Sequence, residues 1–71
     1  MARRSVYYFD RWEDYDEAGT HIADKLPGNY NNGVYFEKYG DYYKAEIYDS
    51  CTDPEYAASI IREHGGKYYC S

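Results

Sequence analysis

Several things are scarce in this chain, and each scarcity closes off a class of function. No apolar run approaches the roughly 20 residues that span a bilayer, and Met1-Ala2-Arg3-Arg4 leads into mixed aromatic and acidic residues, not a signal-peptide core. The chain is therefore expected in the cytoplasm. Cys51 and Cys70 are the only cysteines, too few and too widely spaced for a zinc motif, and His21 and His64 lie at no ligand spacing from them. Two reduced thiols are the default in that compartment, and a disulfide stays open only if the fold brings their Cα atoms within about 7 Å. Glycines are scattered turn residues (Gly28, Gly33, Gly40) or follow a helix (Gly65-Gly66), so no loop cradles a phosphate. No cofactor and no metal are expected.

Positive charge is short as well. Eight bases face thirteen acids, a net charge of -5, which repels phosphate backbones and argues against direct DNA or RNA binding. A basic protein surface is the natural partner, although negative charge also simply keeps a small protein soluble. Six acids and one base fall between Asp10 and Asp24. Enzymatic acid-base work needs a pocket that perturbs such groups, and a run of solvated carboxylates at a helix start supplies none. No local signature supports a nucleophilic thiol with either histidine, so the chain is not expected to be an enzyme.

What the chain has in quantity is tyrosine, twelve in 71 residues. Tyrosine brings a large apolar ring with a polar tip, suited to half-buried and interface positions. At this length roughly 60% of the unfolded chain's surface can be buried, so the core must be compact and there is one domain, residues 1–71.

The periodicities give an order of elements. Ser5 to Phe9 reads as a strand. From about Asp14, the apolar positions Tyr15, Ala18, Ile22 and Leu26 recur at helical spacing, with Pro27-Gly28 as the stop and Asn29 to Gly33 as a loop. Val34 to Lys38 and Tyr42 to Tyr48 read as strands joined by a tight turn. Asp53-Pro54 caps a second helix with Ala57, Ile60, Ile61 and His64 on one face, Gly65-Gly66 stops it, and Lys67 to Cys70 is left as a last strand. Strand, helix, strand, strand, helix, strand is the α+β ferredoxin-like βαββαβ arrangement: a four-stranded antiparallel sheet with two helices on one face. The hairpin Val34 to Tyr48 is expected at the centre of that sheet.

Alternation on the hairpin puts Val34, Phe36, Tyr43, Ala45 and Ile47 on the core side and Tyr35, Glu37, Tyr42, Lys44, Glu46 and Tyr48 on the other. An open face of tyrosines and charges is a candidate binding surface, unless the rings merely shield the sheet or the helices divide between its two faces. The candidate partner-binding set is Asp10, Glu13, Asp14, Asp16, Glu17, Glu37, Asp41, Tyr42, Glu46 and Tyr48: carboxylates to occupy a basic groove built for phosphates, and rings for contact area.

Two resemblances attach to these residues. The element order, with Tyr43-Lys44-Ala45-Glu46-Ile47 followed by a turn and the helix from Pro54 to His64, is similar to the SPOR domain of bacterial division proteins over Ser5 to Tyr69, and implies glycan binding on the open sheet face. Where the SPOR pattern has glycine near the end of its third strand, this chain has Tyr48-Asp49-Ser50. In size, acidity and tyrosine content the chain resembles phage-encoded anti-CRISPR and anti-restriction proteins. That likeness implies an inhibitor, a DNA mimic in the broad sense, of a nucleic-acid-targeting defence complex. An RNA-recognition reading, with bases stacked on Tyr7, Tyr35 or Tyr42, is weighed against the scarcity of bases on the hairpin, where only Lys38 and Lys44 occur.

Overall fold

The computed structural model describes residues 4–26 and 33–71 of the protein. The elements are β1 (Arg4–Phe9), α1 (Trp12–Lys25), β2 (Val34–Tyr39), β3 (Tyr42–Tyr48), α2 (Pro54–Glu63) and β4 (Lys67–Cys70). They form the expected α+β ferredoxin-like fold, with one antiparallel sheet in the order β2-β3-β1-β4. The hairpin is not at the centre of that sheet. Only β3 is interior, paired along its length with β1, while β2 is an edge strand. The reason is the split crossover: each helix carries the chain over a neighbouring strand, so β1 is inserted between the hairpin and β4.

Local chemistry accounts for the helix boundaries. Asp53 accepts a hydrogen bond from the Tyr56 backbone N–H at 3.2 Å, and Pro54 occupies the first helical position, where its missing N–H costs nothing. At the other end of α2 the Gly66 N–H donates to the Ile61 carbonyl at 2.8 Å and the Gly65 N–H to that of Arg62 at 3.1 Å. These are the paired bonds of a Schellman cap, and Gly65 supplies its positive φ of 92°. Helix α1 begins at Trp12, two residues earlier than its apolar spacing suggests, and Arg11 at its N-cap makes no side-chain capping bond. The Pro27-Gly28 stop and the loop from Asn29 to Asn32 lie outside the described residues.

Both helices pack on the same face. Ala18, Ile22 and Leu26 at the α1 side and Ala57, Ile60 and Ile61 of α2 meet Tyr7 and Phe9 of β1, Val34 of β2, and Ala45 and Ile47 of β3 in one buried cluster. Ala18, Ala45 and Ala57 are completely buried, and their small side chains let the helices sit close to the sheet. Phe36, Tyr15 and Tyr43 close the cluster at the hairpin end, with Phe9 and Phe36 stacked at 6.4 Å. Cys51 is buried in the core and Cys70 exposed on β4, and both are free thiols. Among the described residues, no helix is long and apolar enough to cross a membrane.

Gly33 enters β2 with φ 80°, and a Cβ there would lie 2.5 Å from the Cys51 backbone nitrogen. Gly40 in the hairpin turn also has positive φ, 53°, but its Cβ would meet nothing within 4 Å. Gly40→Ala therefore carries only the left-handed penalty of about 1–2 kcal/mol, whereas Gly33→Ala adds a core clash of about 1–3 kcal/mol. Urea unfolding of the two variants should place the midpoint of Gly33→Ala well below that of Gly40→Ala. Equal midpoints would contradict this packing of Gly33 against the β3–α2 connection.

Candidate functional site

Strand alternation sends Val6 and Tyr8 of β1, Tyr35, Glu37 and Tyr39 of β2, and Lys44, Glu46 and Tyr48 of β3 away from the helices. The separation of the hairpin residues into two faces follows the alternation of the sequence. Tyr7, one of the rings that an RNA-binding sheet would need exposed, instead points into the core and is 5% exposed.

This face is an organised surface. At its centre Glu46 is only 5% exposed, with its carboxylate 3.0 Å from Arg4 Nε and 3.7 Å from Lys44 Nζ. Lys44 also reaches Glu37 at 3.4 Å and lies 5.8 Å over the ring of Tyr39. Burial opposes charge on the Lys44 ammonium, but the hydrogen bond to Glu37 and the charges of Glu46 and Glu37 outweigh it and hold its pKa above the ordinary lysine value. Val6 is buried on this face although it stands outside the core cluster.

The rings form two groups around that ionic centre. Tyr35 and Tyr48 meet edge to face at 5.2 Å at one end. At the other, Tyr8 is flanked edge to face by Tyr69 of β4 at 5.2 Å and by Tyr42 at 6.3 Å. Here the sheet opens into a concavity of about 690 Å³, whose walls include Tyr8, Tyr39, Tyr42 and Tyr69 together with Asp10, Asp41 and Lys44. Tyr39, Tyr42 and Tyr69 are 62%, 68% and 68% exposed. Asp10 is bonded to Lys67 Nζ at 2.6 Å, while Asp41 at the hairpin tip has no ion pair among the described residues.

The candidate residues named from sequence therefore divide into three places. Asp10, Asp41 and Tyr42 come together at this concavity. Glu37, Glu46 and Tyr48 lie on the same sheet face, the two acids already paired with cations of the chain. Glu13, Asp14, Asp16 and Glu17 belong to α1, on the helical side of the sheet, with Glu13 3.4 Å from Arg11. Tyr8, Tyr39 and Tyr69 were missing from the set. The signal for Tyr8 and Tyr69 was the Tyr-Tyr pairs at 7–8 and 68–69, which place one ring on each face of a strand, and Tyr39 continues the alternation of Tyr35 and Glu37. The chain matches no family model, no curated protein and no solved structure.

The titrating groups of the site make a definite forecast. Tyr39 is held above the usual tyrosine value by its hydrogen bond to Glu37, and Tyr15 by burial and then by the charges of Asp16 and Glu37. Lys67 is raised by its hydrogen bond to Asp10. With Lys44, all four groups keep their protons to higher pH when folded than when unfolded, where tyrosine and lysine titrate near pH ~10 and ~10.4. Their stabilisation is thus fully present below about pH 10 and is lost as pH rises through the folded values. Urea unfolding across the range from about pH 9 to 11.5 should show falling stability, less steep in Tyr15→Phe. A flat profile, or one unchanged by that substitution, would contradict these environments.

Proposed function

We infer that this domain is a binding module for a basic protein surface, and that it engages its partner at the tyrosine-lined concavity of the open sheet face. The observation that carries this reading is the clustering of Tyr8, Tyr39, Tyr42 and Tyr69 with Asp10 and Asp41 around one hollow. Exposed aromatic faces attract guanidinium and ammonium groups through the ring quadrupole, by about 0.5–1 kcal/mol each at exposed sites. Asp41 beside them, with no ion pair among the described residues, adds charge-assisted hydrogen bonds. Among the described residues the wall holds one cation, Lys44, and its pairing with Glu37 and Glu46 offsets its repulsion of an incoming arginine.

Net charge of -5 favours encounter with a cationic partner, and the α1 carboxylates Glu13, Asp14, Asp16 and Glu17 extend the acidic field on the helical side. Basic surfaces of this kind are the ones proteins use to hold nucleic acid. A module that covers such a surface keeps nucleic acid off it, which is the action of an anti-CRISPR-like inhibitor of a nucleic-acid-targeting defence complex. The same exposed rings support a second reading, a glycan-binding module, because sugar faces also stack on tyrosine.

Amide and side-chain spectra during titration with an arginine-rich peptide distinguish these readings. The expected result is shifts centred on Tyr8, Tyr39, Tyr42 and Tyr69, with Tyr42→Ala or Tyr69→Ala weakening binding about two- to fivefold. Reversal of Glu13, Asp14, Asp16 and Glu17 to Lys should weaken it further at low salt and less at high salt, where screening shortens the reach of charge. Shifts produced by peptidoglycan fragments and not by the peptide would instead establish the glycan reading. Peptide shifts confined to α1 would place the interface on the helices and reject the concavity.

A further inference from the structure

On the helical side of the sheet, away from the tyrosine concavity, the two helices are joined by a pair of histidines that are 43 positions apart in sequence. His21 of α1 and His64 at the C-cap of α2 bring Nδ1 and Nε2 to 3.1 Å, with the ring planes at 89° and both side chains part-buried. The other nitrogen of His64, Nδ1, lies 3.7 Å from the Glu17 carboxylate. A hollow of about 490 Å³ opens on the pair, lined also by Asp16, Thr20 and Asp24.

We propose that this pair is a two-imidazole clip for a divalent first-row transition metal ion, zinc or nickel in class, bridging α1 and α2. Metal–nitrogen bonds of about 2.0–2.1 Å place two ligand nitrogens about 2.9 Å apart at a right angle and about 3.3 Å apart at a tetrahedral one. The observed 3.1 Å, spanned by a hydrogen bond between the two rings, lies between these limits, so the spacing of the two nitrogens suits an ion once the proton between them is moved and the rings turn their lone pairs toward it. Glu17, 3.7 Å from His64 Nδ1, needs only a small side-chain movement to accept a proton held there, the arrangement by which carboxylates orient metal-bound histidines and leave the Nε2 lone pair bare. His21 then needs only to carry its proton on Nε2 to present Nδ1, a change of tautomer with no net proton released. The carboxylates around the hollow add an attractive field for a cation.

Among the described residues no group of three His, Cys, Asp or Glu side chains is assembled to hold a metal ion. The remaining coordination positions are accordingly open to water, and the affinity is that of a clip, not of a closed structural site. Imidazole pairs select zinc, nickel and copper over magnesium. The clip is independent of the tyrosine concavity and of the binding role inferred for it. Spacing alone hides it, since neither histidine lies near a second ligand in sequence.

Calorimetric titration of the whole chain with Zn²⁺ and with Ni²⁺ tests it, alongside Mg²⁺. One ion per chain should bind, Mg²⁺ should not compete, and His21→Gln and His64→Gln should each weaken binding at least about tenfold, while Cys70→Ser leaves it unchanged. Long-range proton–nitrogen spectra of the unaltered protein give a second readout that does not depend on how the variants fold. Zn²⁺ should shift His21 Nδ1 and His64 Nε2 together. Absence of binding up to about 1 mM Zn²⁺, in the weak regime for any site, would overturn the proposal. So would binding that moves no imidazole nitrogen or that is lost in Cys70→Ser.

Discussion

Two helices of fourteen and ten residues cover one face of a four-stranded sheet, and among the described residues no element covers the other. Every feature of the open face answers to that constraint. A sheet left bare on one side needs side chains that screen its backbone yet tolerate water, and tyrosine does both, with a ring to lie over the strands and a hydroxyl to meet solvent. That requirement accounts for the rings of Tyr8, Tyr35 and Tyr48 on this face, which are held edge to face with neighbouring rings.

The same coverage explains an unusual feature at the centre of the face, a carboxylate almost out of contact with water. Glu46 is tolerable there because Arg4 and Lys44 approach its two oxygens from neighbouring positions, and because their own heads remain part-exposed, so the desolvation cost stays moderate. The pairing ties β1 to β3, the two interior strands. It also means that Glu37 and Glu46 are engaged within the molecule, which leaves the tyrosines and Asp41 at the hairpin end for the partner proposed above.

Much of the architecture is legible from the sequence because local rules specify it. Asp53-Pro54 and Gly65-Gly66 bracket α2 by capping chemistry alone, and the alternation from Val34 to Tyr48 assigns each hairpin residue to its face. What required the structure depends on partners distant in the chain. The placement of β1 between the hairpin and β4, the meeting of Tyr8 with Tyr69, and the convergence of His21 on His64 are set by the crossover geometry, which no short window of sequence contains. A composition rich in acids suggests one acidic surface. The fold divides those acids between α1 and the far side of the sheet, since residues close in sequence are separated as soon as a strand gives way to a helix.

On the function proposed above, the tyrosines of the hairpin end form a surface kept free for a partner. Photochemically induced nuclear polarisation reads the accessibility of each tyrosine ring separately. In the free protein Tyr39, Tyr42 and Tyr69 should polarise strongly and Tyr7 not at all, and addition of an arginine-rich peptide should quench those three signals while leaving exposed Tyr56 of α2 unchanged. Strong polarisation of Tyr7, or quenching at Tyr56 with Tyr39, Tyr42 and Tyr69 unaffected, would contradict the account.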